Sequence, residues 1–393
     1  MTPLEPTLKP PSAQVDWQRW IRKNFFDSWW TTALTLLSLL VVVWVVRLFW
    51  VWAFQQANWA VIPNNLKVLM SGTYPLDQLW RVWLTLGLVL VSLGVAGGAW
   101  GGVLRHYVMG LAGVCALLAL LPLGQQSQLF LAGLAIVTAA ALAVGWQRQG
   151  WQLATILVWV VILPVCLVIL LGGMGLPSVR AEQLSGLMLT LLLAAIALIT
   201  AFPIGVLLAL GRTNGDLPVI KLFCTLLIEL VRGVPLTTIL FAAWLLVPLF
   251  LEGITVNLIV RAEVGFILFT AVYVAEDVRG GLQSVSRGQV EAARALGLNP
   301  FQITALVVLP QALRVSVPAL VNAFLTLFKD TSLVFIIGMI DLLAAGRIVY
   351  TNPQWLGTQK EVLFFVGVVY FICCFAMSYA AQQIEKSLGL GKR

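Results

Sequence analysis

Glu229 and Arg232 stand three residues apart in an otherwise apolar stretch, so on a helix they share a face. Ionisable groups in a membrane-length apolar run are costly and turn toward a bundle interior or an aqueous path. Gly233 and Pro235 follow at once and interrupt the helix, which frees backbone groups to meet a polar solute. The pair could line a path for such a solute, or it could be an internal ion pair that fixes the bend. Lys329, Asp330, Thr331 and Ser332 set a cation, an anion and two hydroxyls within about one helical turn. A zwitterion needs an acceptor for its ammonium and donors for its carboxylate, and this cluster holds both. Consecutive side chains point around a helix, so part of the set would pair with neighbouring helices, Asp330 with Arg232 or with a second chain. Glu276, Asp277 and Arg279 form a third charged group. It reads as a helix end at a membrane surface, or as an inner gate or brace for the polar loop beyond it.

Other chemistries lack their residues. No Gly-x-x-x-x-Gly-Lys-Ser/Thr and no Gly-x-Ser-x-Gly occurs, and Gly389–Arg393 has neither the hydroxyl nor the following helix of a phosphate loop. His106 is the single histidine, and the five cysteines lie in apolar runs without metal spacing. Catalytic residues and metal ligands are therefore expected to be absent. Any ATP-driven step would call for another polypeptide.

The elements that carry these groups are membrane helices. Of the 393 residues, 60% are hydrophobic and 10% charged, with a mean hydropathy of +0.97. A soluble chain carries about a quarter charged residues. Ten apolar runs, near 30–54, 80–102, 104–123, 128–146, 151–172, 184–211, 218–250, 262–282, 312–338 and 361–385, reach or approach the ~20 residues a spanning helix needs. The net charge of +8 follows topology. With the N-terminus inside, outer segments hold Lys67, Arg81, Arg180, Arg261, Arg347 and Lys360, while Arg47, Arg232 and Lys329 fall within spans. The remaining basic residues all face inward, which points to cytoplasmic termini. The basic balance is a topology signal, with no nucleic-acid footprint.

The chain divides near residue 180. Residues 1–29 form a tail with a Pro-rich, disordered opening. Residues 30–172 hold five spans and an outer loop with Gly72-Thr73-Tyr74-Pro75; Gly97 to Gly102 there offers Gly-x-x-x-Gly packing or a Gly-rich helix end. Residues 184–385 hold five more spans, and 386–393 form a tail. Between the third and fourth of these later spans lies a polar stretch, 287–310. Within it Glu291-Ala292-Ala293 is followed by Gly297, then by Leu309-Pro310. Glu291–Leu298 suits a short helix, about 12 Å long and far too short to span. Its alanines keep it slim, Gly297 and Asn299-Pro300 end it, and Pro310 suits the first turn of the next helix.

This stretch resembles the cytoplasmic EAA loop of bacterial ABC importer permeases. Leu210-Gly211-Arg212, Glu229 to Leu236, Ala275 to Leu282 and Leu327 to Leu333 extend the resemblance over about 180–390. They are similar to permeases of the polar and general L-amino acid, or histidine-permease, branch. The N-terminal helices match only weakly, through Gly72 to Pro75 and Trp80-Arg81. Asp277 departs from the family's usual uncharged residue. The resemblance implies an all-α, polytopic bundle of about ten spans with a five-helix, MetI-like permease core, in a bacterial plasma membrane. It implies an ATPase-coupling loop at Glu291, Ala292, Ala293, Gly297, Leu309 and Pro310. The partners implied are two ABC ATPases that bind ATP and Mg²⁺, a second permease (related or identical), and an extracytoplasmic solute-binding protein. Translocation would proceed by alternating access, past Glu229, Arg232 and Lys329–Ser332. A membrane-embedded lipid or isoprenoid enzyme, or a secondary transporter, is the alternative. The first needs an acid–base or metal set missing here, and the second repeat halves, whereas the two halves are unlike.

Overall fold

Long apolar runs must satisfy their backbone internally in lipid, and every regular element among the described residues is a helix. A computed structural model describes residues 17–121, 124–173, 175–250 and 256–389. The Pro-rich opening at 1–14 and the tail residues 390–393 lie outside them. Met1–Trp59 and Ala60–Arg393 form two compact units.

In the first unit, α1 (Trp17–Phe25) and α2 (Trp29–Val51) meet at Ser28. The Thr31 hydroxyl accepts from the Ser28 amide at 2.9 Å, and Thr35 donates to the Phe25 carbonyl at 3.0 Å, so the two helices share one capped joint.

In the second unit, the loop before Leu79 folds as two short helices, α3 (Val61–Asn64) and α4 (Leu66–Ser71). Four membrane-length helices follow: α5 (Leu79–Trp100), α6 (Gly102–Ala119), α7 (Gln125–Gln147) and α8 (Gln152–Leu171). α5 lies tightly on α7 because Gly98 faces the backbone of Gly145 and Trp146, where any Cβ would collide. Gly101 and Gly102 turn with positive φ and end α5, so the glycine run is packing surface at one end and helix stop at the other.

The loop at Gly72–Pro75 ties this region to the later half. The Ser185 hydroxyl accepts from the Thr73 amide at 2.8 Å, the Tyr74 hydroxyl donates to Leu170 O at 2.8 Å, and Arg81 Nη2 donates to Pro177 O at 2.9 Å. Tyr74 is fully buried, and burial pushes its phenol above the usual value.

The later half runs through α9 (Gly186–Thr213), α10 (Pro218–Arg232), α11 (Leu236–Phe250) and α12 (Leu258–Ser284). α9 and α12 form its spine, with Gly205 against Ala271 and Val274. Then come α13 (Arg287–Ala295), α14 (Pro300–Gln302), α15 (Leu309–Asp330), α16 (Leu342–Thr351) and α17 (Gln359–Ser387). Nine helices among the described residues are long and apolar enough to cross a membrane, or up to ten with one bent pair.

The break expected at Gly233 and Pro235 is present: α10 and α11 meet at 102°. Pro235 has no amide hydrogen to carry a helix across the joint. Pro310 sits in the first turn of α15, as expected; ahead of it lies the further short helix α14, from Pro300. Asn299 caps it, its side chain accepting from the Gln302 amide at 2.9 Å while Gln302 Oε1 accepts from the Asn299 amide at 3.0 Å. A π turn over Ile303–Val308 precedes Pro310; the wider turn makes room where the proline ring would strike the carbonyl four residues back. α16 was not expected. Ten residues are too few to span, and the helix exists because buried Asp341 caps it, its carboxylate accepting from Leu343 at 3.0 Å and Ala344 at 2.9 Å.

Candidate functional site

The polar loop places α13 between the ends of α12 and α14. The helix starts at Arg287, four residues before the expected Glu291, and closes at Ala295 rather than Leu298. Gly297 takes φ +77° and donates to Arg294 O at 2.9 Å, while Leu298 donates to Ala293 O at 3.2 Å. These bonds close the helix in the left-handed manner that glycine permits. Ala293 is buried, whereas Glu291, Ala292, Arg294 and Ala295 are exposed. Leu296 and Phe301 are 81% and 80% exposed on either side of Gly297. A Cβ on Gly297 would meet nothing within 4 Å. Leu309 leaves this surface and packs against the α9–α10–α12 core, and Pro310 is exposed.

Glu229 and Arg232 do not form the pair their spacing suggested. Glu229 Oε1 accepts from Arg212 Nη2 at 2.7 Å, and Arg232 Nη1 lies 3.2 Å from Glu276 Oε2. Glu276 is the centre, since it also receives Arg212 at 2.8 Å and Arg279 at 2.9 Å. Its side chain is 14% exposed against 56% for Glu229. One carboxylate thus joins the end of α9, the end of α10 and the last third of α12. Arg232 also stacks toward Tyr273, 5.7 Å from the ring centre. Glu276 was read from the chain as part of a charged helix end, or of an inner gate or brace, and not as the partner of Arg212 and Arg232. The chain offers three acids, Glu229, Glu276 and Asp277, to Arg212, Arg232 and Arg279, so the numbers alone do not say which carboxylate is shared.

The turn at 329–332 is where α15 tightens into a 3₁₀ segment, Thr331–Ile337, ended by Gly338 at φ +86°. The hydroxyls serve that change. Thr331, fully buried, donates to Phe328 O at 2.7 Å, and Ser332 donates to Lys329 O at 2.8 Å. Lys329 is exposed and Asp330 half-buried. Asp330 forms no ion pair among the described residues, so the expected contact with Arg232 is not made.

The chain carries clear likenesses. Residues 201–389, which contain the charged centre and the α13 loop, match the family described as binding-protein-dependent transport system inner membrane component. The chain is 36% identical over 391 residues to the inner membrane amino-acid ABC transporter permease protein YhdY of Escherichia coli (strain K12), covering 95% of this chain and 93% of that one. It is 34% identical over 428 residues to the glutamate/glutamine/aspartate/asparagine transport system permease protein BztC of Rhodobacter capsulatus, covering 96% and 95%. Over 51% of this chain and 92% of the other, it is 29% identical to the crystal structure of an amino acid ABC transporter with histidines, with a TM-score of 0.46.

Proposed function

The chain belongs to the family of binding-protein-dependent transport system inner membrane components, and we propose that it imports polar or general L-amino acids as the permease subunit of an ATP-driven ABC transporter. The observation that carries this is identity along 95% of the chain to an amino-acid ABC permease. It is a multi-pass inner-membrane protein and a transport subunit. The lipid-enzyme and secondary-transporter readings find no support among these relatives.

The engine in this reading is a pair of separate ATPase subunits that bind ATP and Mg²⁺. They dock on α13, where slim alanines, a glycine turn and the exposed Leu296 and Phe301 offer an apolar contact that water alone would not favour. A second permease, related or identical, completes the pathway, and an extracytoplasmic binding protein delivers substrate. α12 runs from Glu276 into α13 through Ser284–Ser286, so motion of α13 reaches the charged centre along one helix. The 102° joint lets α10 move with the charged ends of α9 and α12 while α11 stays packed on the first half of α12, where Leu240 meets Gly265. That is a route to alternating access.

Affinity-tagged chain expressed with its candidate partners is expected to retain an ABC ATPase through detergent purification; purification as a lone polypeptide would count against the reading. Both termini are assigned to the cytoplasm. A single cysteine at 295 should label only from the cytoplasm, and one at 67 from outside; the reverse pattern would invert the topology.

The 329–332 turn is proposed as a substrate contact, because Asp330 is a half-buried carboxylate without an ion pair among the described residues. Asp330→Asn keeps the volume but cannot balance an ammonium. Uptake of labelled amino acid is expected to fall at least tenfold with membrane abundance within twofold of wild type, which corresponds to ~1.4 kcal/mol or more. Parallel loss of abundance and uptake would assign Asp330 to structure.

A further inference from the structure

We propose that the end of the helical region formed by α5 to α8 where Arg105 and Arg148 lie binds the headgroup of an anionic phospholipid. Between Asp77 and Glu182 the chain has no acidic residue, yet this end carries Arg105 at the start of α6 and Arg148 just after α7. Neither has an ion pair among the described residues. Arg105 is held in place without being satisfied. Its guanidinium lies 4.4 Å from the Trp146 ring centre, its Nη2 reaches Gly98 O only at 3.4 Å, and its buried Nε has no hydrogen-bond partner. Arg148 lies 5.8 Å from the Trp151 ring centre. A guanidinium braced by an aromatic face and left with free donors suits a phosphate.

The surroundings fit a lipid better than a free ion. Trp146 and Trp151 are exposed, as indoles at a membrane–water boundary are. Trp151 leads directly into α8, whose Leu153 and Leu157 are 76% and 67% exposed. A phosphate held by the arginines would therefore have its acyl chains beside an apolar helix face. A polybasic site at a bilayer surface gains about fivefold in affinity per arginine, so two give roughly thirtyfold.

Native mass spectrometry of the full-length chain titrated with phosphatidylglycerol, phosphatidylcholine or glycerol 3-phosphate tests this. Wild type should retain phosphatidylglycerol in preference to phosphatidylcholine and should not retain glycerol 3-phosphate. Arg105→Gln with Arg148→Gln should lose phosphatidylglycerol affinity roughly thirtyfold. Arg148→Gln alone, at an exposed side chain, should lose about fivefold and serves if the double variant does not fold. Unchanged phosphatidylglycerol affinity in the single variant, equal retention of phosphatidylcholine, or tight glycerol 3-phosphate binding would overturn the proposal. Displacement of the lipid by an acidic protein chain that co-purifies with the complex would also overturn it.

Discussion

Gly297→Asp is expected to abolish amino-acid uptake while the chain still folds and inserts. Nothing within this chain obstructs the new side chain, since a Cβ at Gly297 meets open space. The left-handed φ of +77° costs a non-glycine residue about 1 kcal/mol, and Asp and Asn tolerate it better than most. That cost alone leaves a membrane bundle standing. The damage should come from the partner: an unpaired carboxylate pressed into the ATPase contact between Leu296 and Phe301 would cost several kcal/mol of desolvation. Docking would weaken by more than a hundredfold. Gly297→Asn separates the two contributions, because it carries the same backbone penalty without the charge. We expect Asn to keep much of the uptake and to retain the ATPase on purification, and Asp to lose both. Normal transport by Gly297→Asp would remove α13 as the coupling element, and equal loss in Asn would shift the cause to the backbone.

Glu276→Gln should lower the folded population more than the loss of any one of its arginine partners. The amide would sit among Arg212, Arg232 and Arg279 with no charge to offset them. Removing one partner of a fully buried ionic cluster costs about 3–5 kcal/mol; this cluster is only half-buried, so solvent screening brings the cost to about 2 kcal/mol, and the lost partner is shared by three helices. Membrane abundance and the thermal midpoint in detergent should both fall clearly. Arg232→Gln should be much milder, roughly 1 kcal/mol or less, since its contact is longer and partly exposed. It also leaves Glu229 paired with Arg212, whereas a direct Glu229–Arg232 pair would have stranded the glutamate. A Glu276→Gln protein with wild-type abundance and midpoint would show that the cluster does not hold α9, α10 and α12 together.

What could be read from the chain alone was whatever depends on neighbours in sequence. Apolar length determined the spans, since a helix in lipid needs about 20 such residues wherever it packs. Gly297 and Asn299-Pro300 determined where the short polar helix closes, because helix ends and left-handed turns involve residues a few positions apart. Gly233 and Pro235 foretold that a helix would break, and the short helix after Ser286 was legible within four residues of its true start. The tertiary structure decided what depends on which helices meet. Arg212, Arg232 and Arg279 each could have paired with Glu229 or Glu276, and the i, i+3 choice that spacing favours holds for Glu276–Arg279 but not for Glu229–Arg232; the ends of α9 and α10 meeting α12 made Glu276 the shared partner. The 102° angle of the α10–α11 joint, the π turn that accommodates Pro310, and the docking of Thr73 and Tyr74 against Ser185 and Leu170 likewise needed the assembled bundle. Charge pairing and close packing act between residues distant in the chain, and local propensity does not carry that information.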